Sequence, residues 1–133
     1  MSHQPICDCG LEKPYHKCCQ LLHQGYASFS AELLMRSRYS SYVRKLTYYL
    51  YDTTHPAQQS PKLLRDIEIW IKQPIWNKLE VIKTINGSEY DKVGKVEFIA
   101  HYQLDGKQQK IHEISSFKKY DGLWKYFDGK LLS

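Results

Sequence analysis

The chain has 133 residues, 42% of them hydrophobic, with 19 Lys and Arg against 14 Asp and Glu. That is room for a short element and one domain of about a hundred residues, and it excludes a disordered tail, which lacks the apolar content for a core. The basic residues behind the formal charge of +5 form no block; Arg36 and Arg38, Arg44 and Lys45, and Lys118 and Lys119 are separate pairs. Acids lie between them, so a solvated surface is expected and nucleic-acid binding is not.

All four cysteines fall between Cys7 and Cys19. Cys7 and Cys9, one residue apart, and the adjacent Cys18 and Cys19 cannot reach normal disulfide geometry within each pair, so any bridge would have to cross the loop. If the loop folds back, the same four thiols converge on one S₄ cage, a geometry that suits zinc. Four thiolates leave no position for water, so the expected site is structural, one zinc per chain held by Cys7, Cys9, Cys18 and Cys19. The imidazole of His3, His16 or His23 could replace one thiolate. Gly10 allows the tight turn after Cys9, and Lys13, His16 and Lys17 would offset part of the tetrathiolate charge. Four thiolates (−4) and one divalent ion (+2) lower the formal excess by two. The run Met1-Ser2-His3-Gln4-Pro5 has neither the basic nor the apolar region of a secretion signal. No apolar run approaches the roughly eighteen residues of a membrane span. With reduced thiols, this points to the cytoplasm and to no membrane partner.

The spacing C-x-C-x₈-C-C resembles the SEC-C motif, the short zinc-binding element at the C-terminus of the SecA translocation ATPase. Gly10 and Tyr15 match the usual pattern; Asp8 stands for its Pro, and Leu11 and Glu12 stand for its Ser-Gly. The resemblance implies a protein partner docked through the zinc element, since in SecA that element contacts a chaperone and the ribosome.

Residues Leu21 to Ser30 read as a linker. Ser30 followed by Glu32 marks a helix start, and Met35, Tyr39, Tyr42 and Leu46 place one apolar stripe on a helix from about Ala31 to Arg44. A second, short helix is expected over about Leu46 to Tyr51, ending before Thr53-Thr54-His55-Pro56. The third opens at Ser60-Pro61, carries Leu63, Leu64, Ile67, Trp70 and Ile71, and ends at Gln73-Pro74.

Beyond Trp76 the period changes to two. Leu79, Val81 and Ile85 alternate with polar residues before Asn86-Gly87. Val96, Phe98, Ala100, Tyr102 and Leu104 then form an apolar face opposite Lys95, Glu97, His101 and Gln103. Asp105-Gly106 and Asp121-Gly122 signal hairpins on either side of a strand over about Lys107 to Tyr120. The last strand is expected to run from Leu123 to Phe127 and close at Asp128-Gly129. The fold class is therefore α+β: a zinc-binding element over residues 1–25, then three helices on a curved four-stranded antiparallel sheet over residues 26–133.

This order of elements is similar to the cone of the nuclear transport factor two superfamily. Leu34-Met35-Arg36-Ser37-Arg38-Tyr39, Thr54-His55-Pro56, Gly94-x-Val96-x-Phe98-x-Ala100, Glu113-x-Ser115-x-Phe117 and Trp124-x-Tyr126-x-Asp128-Gly129 resemble the signature of the uncharacterised bacterial YchJ-like family. That family sets a SEC-C element before such a domain, and many members carry a second one at the C-terminus. Nothing after Leu131-Leu132-Ser133 supplies it here, so a role needing two zinc elements is not expected. Cones of this type often form homodimers through the sheet.

Candidate pocket residues are Arg38, Tyr39, His55, Glu113 and Ser115. Ile111, Glu113, Ser115 and Phe117 share one strand face, and a carboxylate turned inward needs a cation, for which Arg36 or Arg38 is the natural partner. On that expectation, losing the Glu113 charge costs on the order of 3 kcal/mol. His55 could titrate near neutral pH or simply form a turn. No G-x-S-x-G, H-E-x-x-H or phosphate-cradling glycine loop occurs. The expected function is a non-catalytic adaptor with a possible small-ligand pocket. The alternatives are a small-molecule binding protein or an isomerase- or dehydratase-like enzyme, by fold analogy, and ribosome or nucleic-acid binding.

Overall fold

The computed structural model describes residues 6–132. A 3-10 turn (Tyr15–Lys17) leads into the short helix α1 (Cys19–His23), followed by α2 (Ala31–Val43), α3 (Thr47–Asp52), a second 3-10 turn (Pro56–Gln58) and α4 (Pro61–Trp70). Strands β1 (Ile75–Asn86), β2 (Val93–Leu104), β3 (Lys107–Tyr120) and β4 (Leu123–Leu132) form one antiparallel sheet in chain order. The architecture is the expected α+β arrangement of helices on a curved sheet, with the cysteine cluster at the N-terminal end.

Local chemistry explains the helix starts. The Ser30 hydroxyl accepts from the Leu33 amide at 3.1 Å, and Ser60, followed by Pro61, accepts from Leu63 at 3.0 Å; each satisfies one of the free N–H groups of a first turn. Helix α2 is buried on more than its apolar stripe. Met35 and Tyr39 pack toward the sheet, while Ser37, Ser40 and Ser41 are fully buried on other faces. Ser37 and Ser41 donate back to the carbonyls of Leu34 and Arg38 (2.7 and 2.6 Å), so these hydroxyls stay satisfied without water.

The two Asp-Gly hairpins have both turn residues at positive φ, Asp105 and Gly106 at 52° and 76° and Asp121 and Gly122 at 54° and 78°. This is the mirror-image turn whose twist matches the strands it joins. Two register shifts interrupt β1 opposite β2, between Trp76 and Lys78 and between Val81 and Lys83. Each irregularity of this kind bends the sheet, and a one-residue slip moves every later side chain to the other face. Leu79 and Val81 therefore face the core as expected, but Ile85, beyond the second shift, is 45% exposed.

Strand β4 also departs from expectation. It does not close at Asp128-Gly129 but continues to Leu132, with Ser115 paired to Gly129 and a bulge that leaves Phe127 without an opposite residue. Gly129 serves space rather than a turn: a Cβ there would collide with the Glu113 carboxylate and the Tyr126 hydroxyl. Gly129→Ala should cost about 1–3 kcal/mol by overpacking. A urea melt superimposable on that of the parent chain would contradict this close approach.

Candidate metal centre and cone cavity

The Sγ atoms of Cys7, Cys9, Cys18 and Cys19 lie within 4.8 Å of one another, and those of Cys9 and Cys18 are 3.5 Å apart. Thiolates at about 2.3 Å from a tetrahedral zinc would sit roughly 3.8 Å from each other, so the four sulfurs fit the group with little movement. Cys7, Cys9 and Cys19 are buried. The fold packs them so closely that they share protons: hydrogen bonds from Cys19 and Cys9 hold the Cys7 thiol below its usual range, while the same contacts and the loss of water push Cys19 well above it. Bare thiols so placed resist ionising together, whereas a divalent cation removes the mutual repulsion.

The loop owes its shape to contacts sequence spacing could not reveal. Gly10 adopts φ 93°, and a Cβ would meet Arg36 Nη1 at 3.2 Å. That Nη1 donates to the Cys9 carbonyl at 2.6 Å while Arg36 Nε donates to Glu32 at 2.9 Å. Arg44 lies over the Tyr15 ring, 3.3 Å from its centroid, with Nε 3.2 Å from Asp8 Oδ2 in an ion pair too oblique for a hydrogen bond. Two guanidinium groups, Arg36 of α2 and Arg44 at its C-terminal cap, thus reach the cysteine loop from 17 and more residues further along the chain, beyond what local spacing shows.

His23 is tied elsewhere. Its Nε2–H donates to the Ser37 carbonyl (2.8 Å), which leaves Nδ1 to accept from the Tyr15 hydroxyl (2.6 Å). Burial lowers its basicity and keeps it neutral in that pairing. The cluster of potential ligands contains no His16, and His3 lies outside the described residues.

On the other side of α2 a cavity of about 490 Å³ opens between the helices and the inner face of the sheet, with Arg38, Tyr39, Glu113 and Ser115 in its wall. Ile111 and Phe117 line it beside them, so the alternation read along β3 holds. His55 does not line it. Its Nδ1 accepts from the Ala57 amide at 3.0 Å, and its ring stands edge-on to Tyr120 and Phe127; it caps the turn at Pro56. Unforeseen lining residues are Trp70, Trp76 and Tyr126. In the sequence, Trp70 reads as part of a helix face and Trp76 as the boundary before the strands.

The expected ion pair is absent. No carboxylate lies within 4 Å of Arg38 among the described residues, and Arg36 is engaged at the cysteine loop. Arg38 Nη1 instead donates to Leu50 O (2.8 Å) and Thr53 Oγ1 (2.7 Å), and its Cζ lies 4.4 Å from the centroid of the Tyr126 ring. Glu113 accepts from the Ser115 hydroxyl. A glutamine would keep that acceptor, so Glu113→Gln should change stability by less than about 1 kcal/mol. A loss on the order of 3 kcal/mol in denaturant would restore the ion-pair reading.

The description "YchJ, middle NTF2-like domain" matches residues 30–129. The chain belongs to the YchJ-like family. It is 38% identical over 125 residues to a UPF0225 protein of Geobacter sulfurreducens, covering 93% of this chain and 78% of that one. It is also 38% identical over 129 residues to a UPF0225 protein of Streptomyces coelicolor, covering 96% and 97%. A SEC-C motif containing protein from Rhodopseudomonas palustris, solved in solution, superposes with a TM-score of 0.84 at 34% identity over 97% of this chain and all of its own. The crystal structure of a SEC-C motif containing protein from Psychrobacter arcticus gives 0.77 at 30% identity, over 96% and 83%. This YchJ-like chain therefore combines a SEC-C-type cysteine cluster with the cone domain. No helix among its described residues is long and apolar enough to cross a membrane.

Proposed function

We propose that this YchJ-like chain is a cytoplasmic, non-catalytic binding protein whose cone takes a small ligand and whose four cysteines hold one structural zinc. The observation that carries the reading is the cavity of about 490 Å³, within the size range of small-molecule sites, with aromatic walls and a few convergent polar groups. A reducing compartment suits four free thiols, and four thiolates around zinc leave no open coordination position for hydrolytic chemistry. When bound, zinc would cross-link this loop, and Arg36, Arg44 and His23 join the loop to α2.

Thermal-shift screening of small apolar and aromatic compounds tests the reading. A true ligand at a hundredfold its Kd stabilises by about 2.7 kcal/mol, and the gain should vanish when a bulkier side chain fills the cavity at Ala100. A gain that survives in the filled variant would place binding elsewhere.

A second reading, an adaptor docking an apolar protein segment through the zinc element, is favoured by Ile6 and Leu21, which stand 64% and 40% exposed beside the cysteines. Ile6→Asp with Leu21→Asp should abolish partner co-purification without releasing zinc. Retained co-purification would remove this reading.

A further inference from the structure

We propose that the cone selects organic monoanions, an apolar or aromatic body carrying one carboxylate or similar oxyanion, with Arg38 as the group that receives the charge. This rests on the cone being a ligand site.

Arg38 is 9% exposed. A buried cation usually sits beside a carboxylate, because its lost hydration is otherwise poorly replaced. Here the neighbours are oxygens of neutral groups, Leu50 O, Thr53 Oγ1 and, at 3.5 Å, Thr54 Oγ1, all taken by the one Nη1 nitrogen. The remaining guanidinium donors have no hydrogen-bond partner among the described residues, and Arg38 is part of the cavity wall. Guanidinium presents its N–H groups as a planar fork that matches an oxyanion, so the unfilled side of Arg38 is a ready receptor for one.

The phenols of Tyr39 and Tyr126 stand in the same wall. Burial raises the Tyr39 and Tyr126 phenols, so both remain neutral and able to donate at neutral pH. The body of the ligand would lie against Trp70, Ile67 and Ile111.

Glu113 sets the limit on charge. Its carboxylate faces the same cavity, held by Ser115. One negative charge on the ligand is balanced by Arg38, but a second would meet Glu113 across a poorly hydrated space, where like charges repel strongly. The pair therefore favours a monoanion over a dianion such as a phosphate monoester, and over a neutral body of the same shape.

Two fluorescent probes with one aromatic frame separate these points: anilinonaphthalene sulfonate, a monoanion, and phenylnaphthylamine, its neutral counterpart. The monoanion should bind about tenfold more tightly, the effect of one charge-assisted hydrogen bond. Arg38→Met should erase that difference by weakening the monoanion more than the neutral probe. Glu113→Gln should widen it, and this variant decides the matter if Arg38→Met does not fold. Equal affinities for the two probes would overturn the monoanion proposal while leaving the cavity a binding site. A preference that persists in folded Arg38→Met, or fails to widen in Glu113→Gln, would overturn it as well. If neither probe binds, the ligand-binding reading itself fails.

Discussion

Replacing Cys7 and Cys18 together with serine should abolish zinc binding, taking the metal content from one ion per chain to background, while residues after about Tyr26 keep their fold. The first half follows from the geometry of the sulfurs, all within 4.8 Å of one another; two ligands cannot hold what four hold, and structural zinc contributes about 10 kcal/mol or more to small elements of this kind. The second half follows from the packing. The cysteines form a cluster of their own with Leu11 and Tyr15, while the sheet packs on α2 through Leu34, Met35, Val96, Phe117 and Trp124, and α3 and α4 meet around Leu50, Ile67 and Ile71. Far-UV dichroism should therefore keep its sheet signal, with a lower Tm, because Arg36, Arg44 and His23 lose the loop they hold. Undiminished zinc by metal analysis would disprove the ligand set. Complete loss of secondary structure would show that the domain depends on the metal.

Phe117→Ala should be the most damaging single change in the sheet, at about 3–5 kcal/mol. Phe117 is 1% exposed and lies where the main core meets the cavity wall, its ring 5.9 Å from that of Tyr126. Truncation removes the burial of an aromatic ring and leaves a void that the neighbouring strands cannot close, since Ser115 and Gly129 are locked in register beside it. With unfolding entropy near 2.1 cal/mol/K per residue, each kcal/mol lowers Tm by roughly 3–4 °C, so the fall should be about 10–18 °C. Phe29→Ala is the control: that ring is 71% exposed, and the change should stay within about 0.5 kcal/mol. A Phe117→Ala loss below about 2 kcal/mol would mean that the seam is not close-packed.

What the sequence determined by itself was everything written in short-range spacing. The convergence of Cys7, Cys9, Cys18 and Cys19, the caps at Ser30 and Ser60, the two Asp-Gly hairpins and the inward row of Ile111, Glu113, Ser115 and Phe117 each depend on residues a few positions apart. Their geometry is fixed by backbone period and local hydrogen bonds. Four matters were decided by tertiary structure alone. A register shift after Val81 sent Ile85 outward, because strand parity counts every residue and a bulge changes the count. Gly129 became a space for Glu113 and Tyr126, which only the pairing of β3 with β4 brings to it. His55 was drawn into a turn and away from the cavity by its contact with the Ala57 amide and the rings of Tyr120 and Phe127. The two arginines, offered by the sequence as alternative partners for Glu113, take separate places: two residues apart on α2 they point to opposite sides, Arg36 to the cysteine loop and Arg38 to the cavity. A charge takes the partner that three-dimensional packing places beside it, and spacing along the chain does not encode which partner that is.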